Sequence, residues 1–165
     1  GGTVQVESAP GKGSCFEIFF PIMEKQTISE TEEIKSLPTG SECILLVDDE
    51  DSLIDLGSNM LTKLGYQVKT WTRPIEALDA FRANPHNFDL VISDMTMPNM
   101  AGDTLTEELR QIRPDIPIII CTGYSERINK QRAEELGIQG LIMKPFTIRR
   151  LAKAVHEALG QKMDV

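Results

Sequence analysis

The sequence predicts an α/β fold, an open parallel sheet with helices on both faces. Three observations point to it. From Glu42 onward, strand and helix patterns alternate five times. The helical segments repeat apolar residues every three or four positions. Four of the five predicted strands also end in polar or charged groups: Asp48-Asp49-Glu50, Asp94, Thr122 and Lys144-Pro145.

The elements follow in order. Strands are expected near 43–47, 67–71, 88–93, 116–121 and 139–143. After the first strand, Leu53, Ile54, Leu56, Met60, Leu61 and Leu64 recur at helical spacing, and Gly65 stands where a left-handed cap is wanted. Pro74 suits a first helical turn, with Ile75, Leu78 and Phe81 expected on one inner face. The third helix should span about Gly102 to Ile112 and stop before Pro114. Ser125 can cap a fourth helix ending at Gly137. Thr147 can cap the last, with Ile148, Leu151, Val155 and Leu159 facing inward. The predicted architecture is a flavodoxin-like, doubly wound sheet of five parallel strands in the order 2-1-3-4-5 with five helices.

Ahead of this unit, residues 1–22 read as two alternating strands, Thr3–Glu7 and Ser14–Phe20, around Pro10-Gly11-Lys12-Gly13. Residues 23–41 are acidic and poor in large apolar side chains, as expected of a flexible or weakly helical linker. The third unit is expected at 42–161.

Composition removes several function classes. Seventeen Lys and Arg against 25 Asp and Glu give a formal charge of -8 and a pI near 4.8. Such a surface does not suit non-specific nucleic-acid binding. No apolar run approaches the roughly 18 residues of a membrane span, and no signal-peptide pattern opens the chain. These residues are expected to act in the cytoplasm without touching a membrane, although a longer parent can be anchored in one. Cys15, Cys43 and Cys121 lack metal-ligand spacing, and the last two lie within apolar strands as small core residues.

In a doubly wound sheet, ligands bind at the carboxyl ends of the strands, beside the point where strand order reverses. Here that point lies between the strands ending in Asp48-Asp49 and in Asp94. An Asp-Asp pair alone reads as a solvated acidic loop, and Thr122-Gly123 or Lys144-Pro145 alone as loop chemistry. Their joint placement on strand ends points instead to a site for a cation and a phosphoryl group. Clustered carboxylates repel unless a cation relieves them, and Mg²⁺ suits hard oxygen donors. Asp49 and Asp94 are expected as direct ligands, Asp48 mostly through water, and the Thr96 carbonyl as a further donor. Asp94 is the candidate nucleophile toward phosphorus. Lys144 would offer a point charge to the phosphoryl group and Thr122 a hydrogen bond. The Lys144-Pro145 bond is a candidate cis peptide.

Residues 42–161 resemble the response regulator receiver family. The motifs are Leu46-Val47-Asp48-Asp49-Glu50, Asp94 through Gly102, Cys121-Thr122-Gly123 and Lys144-Pro145-Phe146. The resemblance implies a phosphoacceptor at Asp94, Mg²⁺ at Asp48 and Asp49, and switch roles for Thr122 and Lys144. It also implies transfer from a phosphohistidine on a kinase dimerisation domain or a histidine phosphotransfer protein. One departure is Leu141, where the family often has an aromatic switch residue. Tyr124 is a candidate for covering the site, and Met95, Met97 and Met100 for an adaptable surface beside it.

Residues 1–21 resemble the closing hairpin of the ATP-binding domain of sensor histidine kinases. Together, the two resemblances imply the carboxy-terminal end of a hybrid sensor histidine kinase. His86 and His156 lack a kinase-like setting and are expected to be solvated, so these residues should not use ATP. The hairpin's apolar residues Val4, Val6, Phe16, Ile18 and Phe20 are expected to dock on the receiver or pair with a second copy as a homodimer. Two other functions compete: an interaction module that never turns over phosphate, and an aspartyl-phosphate hydrolase. The hydrolase would want an acid at position 96, where Thr stands.

Overall fold

A computed structural model describes residues 2–21, 36–123 and 130–160, with the main chain alone at 130–132. The chain divides into two compact units, Gly1–Glu32 and Glu33–Val165. The first holds an antiparallel hairpin of β1 (Thr3–Ala9) and β2 (Gly13–Phe19). Val4 pairs with Ile18 and Val6 with Phe16, so these four share one face, and all four are exposed. The strands differ from the sequence reading by taking in Ser8, Ala9 and Gly13 and releasing Phe20.

The second unit runs β3 (Cys43–Val47), α1 (Asp51–Lys63), β4 (Gln67–Trp71), α2 (Pro74–Ala83), β5 (Leu90–Asp94) and α3 (Gly102–Ile112). It continues through β6 (Ile118–Thr122), α4 (Lys130–Glu135), β7 (Gly140–Met143) and α5 (Ile148–Ala158). All five strands are parallel, in the order β4-β3-β5-β6-β7, the predicted 2-1-3-4-5 order. β5 and β6 each begin two residues later than expected. Pro117, just before β6, has no N–H to give a ladder, and its carbonyl instead accepts from Val91 N at 3.0 Å. The proposed Ser125 cap and Tyr124 lie outside the described residues.

Alternate side chains of each strand face opposite helical layers. Ile44, Leu46, Leu90, Ile92, Ile119 and Ile142 pack with Ile54 and Leu61 of α1 and Leu151, Ala152 and Val155 of α5. Leu45, Val47, Val91, Ile118 and Ile120 pack with Leu78 and Phe81 of α2 and Leu105 and Leu109 of α3. Two helix faces differ from expectation. Ile75 is 49% exposed, because the inner face of α2 is set by Pro74, Ala77, Leu78 and Phe81. Leu56 is 41% exposed, since its neighbour Gly57 takes the buried position of α1 and lets Leu46 approach.

The packed unit reaches back to Leu37, which lies against the core. Gly40 N donates to Leu64 O at 3.1 Å, and Glu42 O accepts from Gln67 N at 2.9 Å. Gly65, with φ of +95°, crosses Gly40 so closely that a Cβ there would stand 2.6 Å from the Gly40 carbonyl oxygen. The last residues of the expected linker are therefore part of the sheet unit. Thr147 caps α5 by accepting from Arg150 N at 3.4 Å. Cys121 is buried, Cys43 partly buried and Cys15 exposed, all as free thiols. His86 is exposed as expected. His156 is not solvated: it is half-buried, four residues after buried Ala152. Neither of its ring nitrogens has a hydrogen-bond partner among the described residues.

Candidate functional site

The site forms where four parallel strands end. Asp48 follows β3, Asp94 closes β5, Thr122 closes β6, and Lys144 follows β7. β3 lies between β4 and β5, so the strand order reverses beside Asp48 and Asp94, the crevice position of doubly wound sheets. Lys144 N donates to Thr122 O at 2.9 Å, which fixes the residue after β7 against the end of β6. The Lys144–Pro145 peptide is cis.

Asp48 is 5% exposed and Asp94 6%, an unusual depth for carboxylates. Each has partners. Lys144 Nζ lies 2.7 Å from Asp48 Oδ2 and 2.5 Å from Asp94 Oδ1, so one ammonium bridges both acids. Glu50 N donates to Asp48 Oδ1 and Thr96 N to Asp94 Oδ2, both at 3.1 Å. The main chain of Asp48 is itself held by donation to Trp71 O at 3.2 Å. Asp49 is exposed beside them. One carboxylate oxygen from each of Asp48, Asp49 and Asp94 falls within 4.8 Å of the others.

Burial pushes the Asp48 carboxyl above its ordinary range, even though Lys144 and the Glu50 N–H pull the other way. Burial alone would lower Lys144. The hydrogen bonds and charges of Asp48 and Asp94 outweigh that, and the ammonium is held above its ordinary value. Behind the site, burial pushes the Cys121 thiol up to about 12, which leaves it a neutral core residue.

Asp48, Asp49, Asp94 and Lys144 are thus brought together, with Thr122 on the adjoining strand end. Thr96 meets Asp94 through its N–H. The sequence reading directed Lys144 toward a phosphoryl group and did not foresee its contact with Asp48; two strand-end acids facing one lysine were the available signal. It also missed a cleft of about 710 Å³ next to Asp49, lined by Asp51, Arg73, Ile75, Pro98 and Asn99 among others. Asn99 holds a φ of +69° in that wall.

This arrangement defines a class: a doubly wound domain presenting buried acids and a lysine at its switch point. Residues 44–156 match the response regulator receiver domain family, and the chain belongs to it. Over 99% of its length the chain is 36% identical to Sensor kinase CckA of Brucella abortus (strain 2308), spanning 18% of that protein. It is 38% identical to Sensor histidine kinase RcsC of Escherichia coli (strain K12) over 64% of this chain and 11% of that one. The chain therefore spans less than a fifth of either relative. A crystal structure of a response regulator receiver domain protein from Clostridium thermocellum superposes with a TM-score of 0.69. It is 31% identical, covering 73% of this chain and 95% of that one.

Proposed function

We propose that Asp94 is the phosphoacceptor of a two-component phosphorelay and that Mg²⁺ assists the transfer. The observation that carries this reading is the Lys144 ammonium within hydrogen-bond reach of both Asp48 and Asp94. It puts positive charge where a negatively charged phosphoryl group must approach a carboxylate.

The donor set fits the ion: three carboxylates with mutually close oxygens, two of them buried, offer the hard oxygen ligands that Mg²⁺ takes. Asp49 and Asp94 would hold it directly, Asp48 through water, and the Thr96 carbonyl would add a further donor. When bound, Mg²⁺ supplies charge neutralisation for the transferring oxygens. The chain's own residues do the rest. Thr96 N–H orients one oxygen of Asp94, and the other attacks phosphorus. An O–P bond forms, the N–P bond to the donor imidazole breaks, and that nitrogen keeps the electron pair. Lys144 pairs with a phosphoryl oxygen, and Thr122 Oγ1 donates to another.

The donor is a phosphohistidine on a kinase dimerisation domain or a histidine phosphotransfer protein. The parent is a sensor histidine kinase. The match to a sensor kinase over 99% of the chain, hairpin included, supports this, as does the hairpin's resemblance to the end of an ATP-binding domain. The domains in this reading are a kinase hairpin at 1–22, a linker at 23–41 and the receiver at 42–161. They work in the cytoplasm, whether or not the parent is membrane-anchored. The phosphate is passed on within a relay or reported through the face formed by the last two helices and strands, where Leu141, in the place of an aromatic switch, and Met143 are exposed.

The test is to incubate the chain with Mg²⁺ and a small phosphodonor such as acetyl phosphate and weigh it intact. The wild type should gain one phosphoryl group and Asp94→Asn none. A modified Asp94→Asn chain would move the acceptor elsewhere.

A further inference from the structure

We propose that Gly102, Ser93 and Thr106 form a main-chain cradle that sets the depth and aim of Asp94, making Gly102 a positioning residue for phosphoryl capture. This rests on Asp94 being the acceptor.

The first turn of α3 lies directly on the end of β5. A Cβ on Gly102 would stand well inside 3.0 Å of the Asp94 carbonyl oxygen and 3.1 Å from both the Asp94 carbonyl carbon and Met95 Cα. All three atoms are main chain, so no side chain can swing aside. Gly102 N donates to Met95 O at 2.9 Å, while Met95 N donates to Cys121 O at 2.9 Å. Met95, the residue after Asp94, is thereby gripped by the helix through its carbonyl and by β6 through its N–H.

The buried polar residues point to the same place. Among the described residues these are Asp48, Ser93, Asp94, Thr106 and Thr122, of which only Ser93 and Thr106 are not assigned to the site. A buried hydroxyl is costly unless it is bonded. Both are bonded at this crossing. Ser93 Oγ donates to Asp94 O at 2.9 Å, and Thr106 Oγ1 donates to Gly102 O at 2.7 Å. One hydroxyl holds the strand side of the contact and the other the helix side.

A methyl group at position 102 must force the strand end and the helix apart. Phosphoryl capture depends on a near-attack geometry, where a misplacement of about 1 Å costs about 100-fold in rate. The full chain is labelled with acetyl phosphate at saturating Mg²⁺, and the maximal rate is separated from the donor concentration giving half of it. Gly102→Ala should keep its circular dichroism and its acceptor but lose at least about tenfold in maximal rate. Thr106→Val should slow labelling several-fold and Thr106→Ser, which keeps the donor, should restore it. Ala77→Gly, a destabilising change in α2 away from the site, should lower the melting temperature and leave the rate alone.

A folded Gly102→Ala labelled at the wild-type rate overturns the cradle. So does equal labelling of Thr106→Val and Thr106→Ser, which also decides the matter should Gly102→Ala fail to fold. Ala77→Gly slowing in proportion to its lost stability would reduce the effect to general loosening and overturn it too. A wild type that takes no phosphoryl group on Asp94 removes the acceptor reading itself.

Discussion

Lys144 compensates two buried carboxylates at once, so its loss should be felt in folding before any chemistry is assayed. Lys144→Ala would leave Asp48 and Asp94 facing each other without a counter-ion, at about 1–3 kcal/mol measured by urea unfolding. The pH dependence has a definite sign. The Lys144 pKa is raised in the folded state, so its contribution is complete below pH 10.5 and lost as pH climbs through the raised value. Asp48 is also raised, so the folded chain binds that proton more tightly than the unfolded chain does. The gain is present below pH 3.8 and lost as pH rises through the raised value, which makes ionised Asp48 a cost at neutral pH. Asp48→Asn should therefore be more stable than wild type at pH 7, an advantage that vanishes below pH 3.8. Equal melting temperatures at pH 7 would contradict it. The identity of these residues was legible in the sequence because each ends an apolar run. Their pairing was not, since the sequence separation of 96 between Asp48 and Lys144 is closed only by sheet order.

Strands were easier to read than helix faces. β3 and β4 fall where the sequence places them, β3 as a nearly continuous buried run and β4 as a partly exposed strand in which Val68 and Trp71 are the least exposed residues. In α1 and α2 the buried positions are taken partly by Gly57 and Ala77, small residues that carry almost no hydrophobic signal. The large neighbours Leu56 and Ile75 were read as inward instead. This difference has a measurable consequence in α2. Phe81→Ala empties a fully buried position and should cost about 3–5 kcal/mol. Ile75→Ala should cost no more than about 0.5 kcal/mol. Similar losses from both in thermal unfolding would restore the inward reading of Ile75. His156 was misjudged for a related reason: a polar residue next to Val155 was assigned to solvent, whereas the helix phase turns its ring into cover.

For the molecule as a whole, the receiver unit and the hairpin pose different questions. The receiver should gain stability from Mg²⁺, rising with concentration as any ligand selective for the folded state requires. Asp49→Ala should lose most of that rise. The hairpin exposes Val4, Val6, Phe16 and Ile18 on one face, too much apolar surface for two strands to keep in water alone. Deleting residues 1–22 should remove self-association seen by sedimentation, and an unchanged oligomeric state would contradict that. Composition and five strand–helix alternations made the receiver's architecture legible. The hairpin's partner is not encoded in any local pattern, because a two-stranded apolar face fits many covers.

The most direct measurement is to locate the phosphoryl group by peptide mapping after the chain is incubated with Mg²⁺ and a phosphohistidine-bearing kinase domain. The label should fall on the peptide containing Asp94 and disappear when a chelator replaces Mg²⁺. A label on His86, His156 or another acid, or one indifferent to the chelator, would contradict a carboxylate made receptive by a bound cation and Lys144.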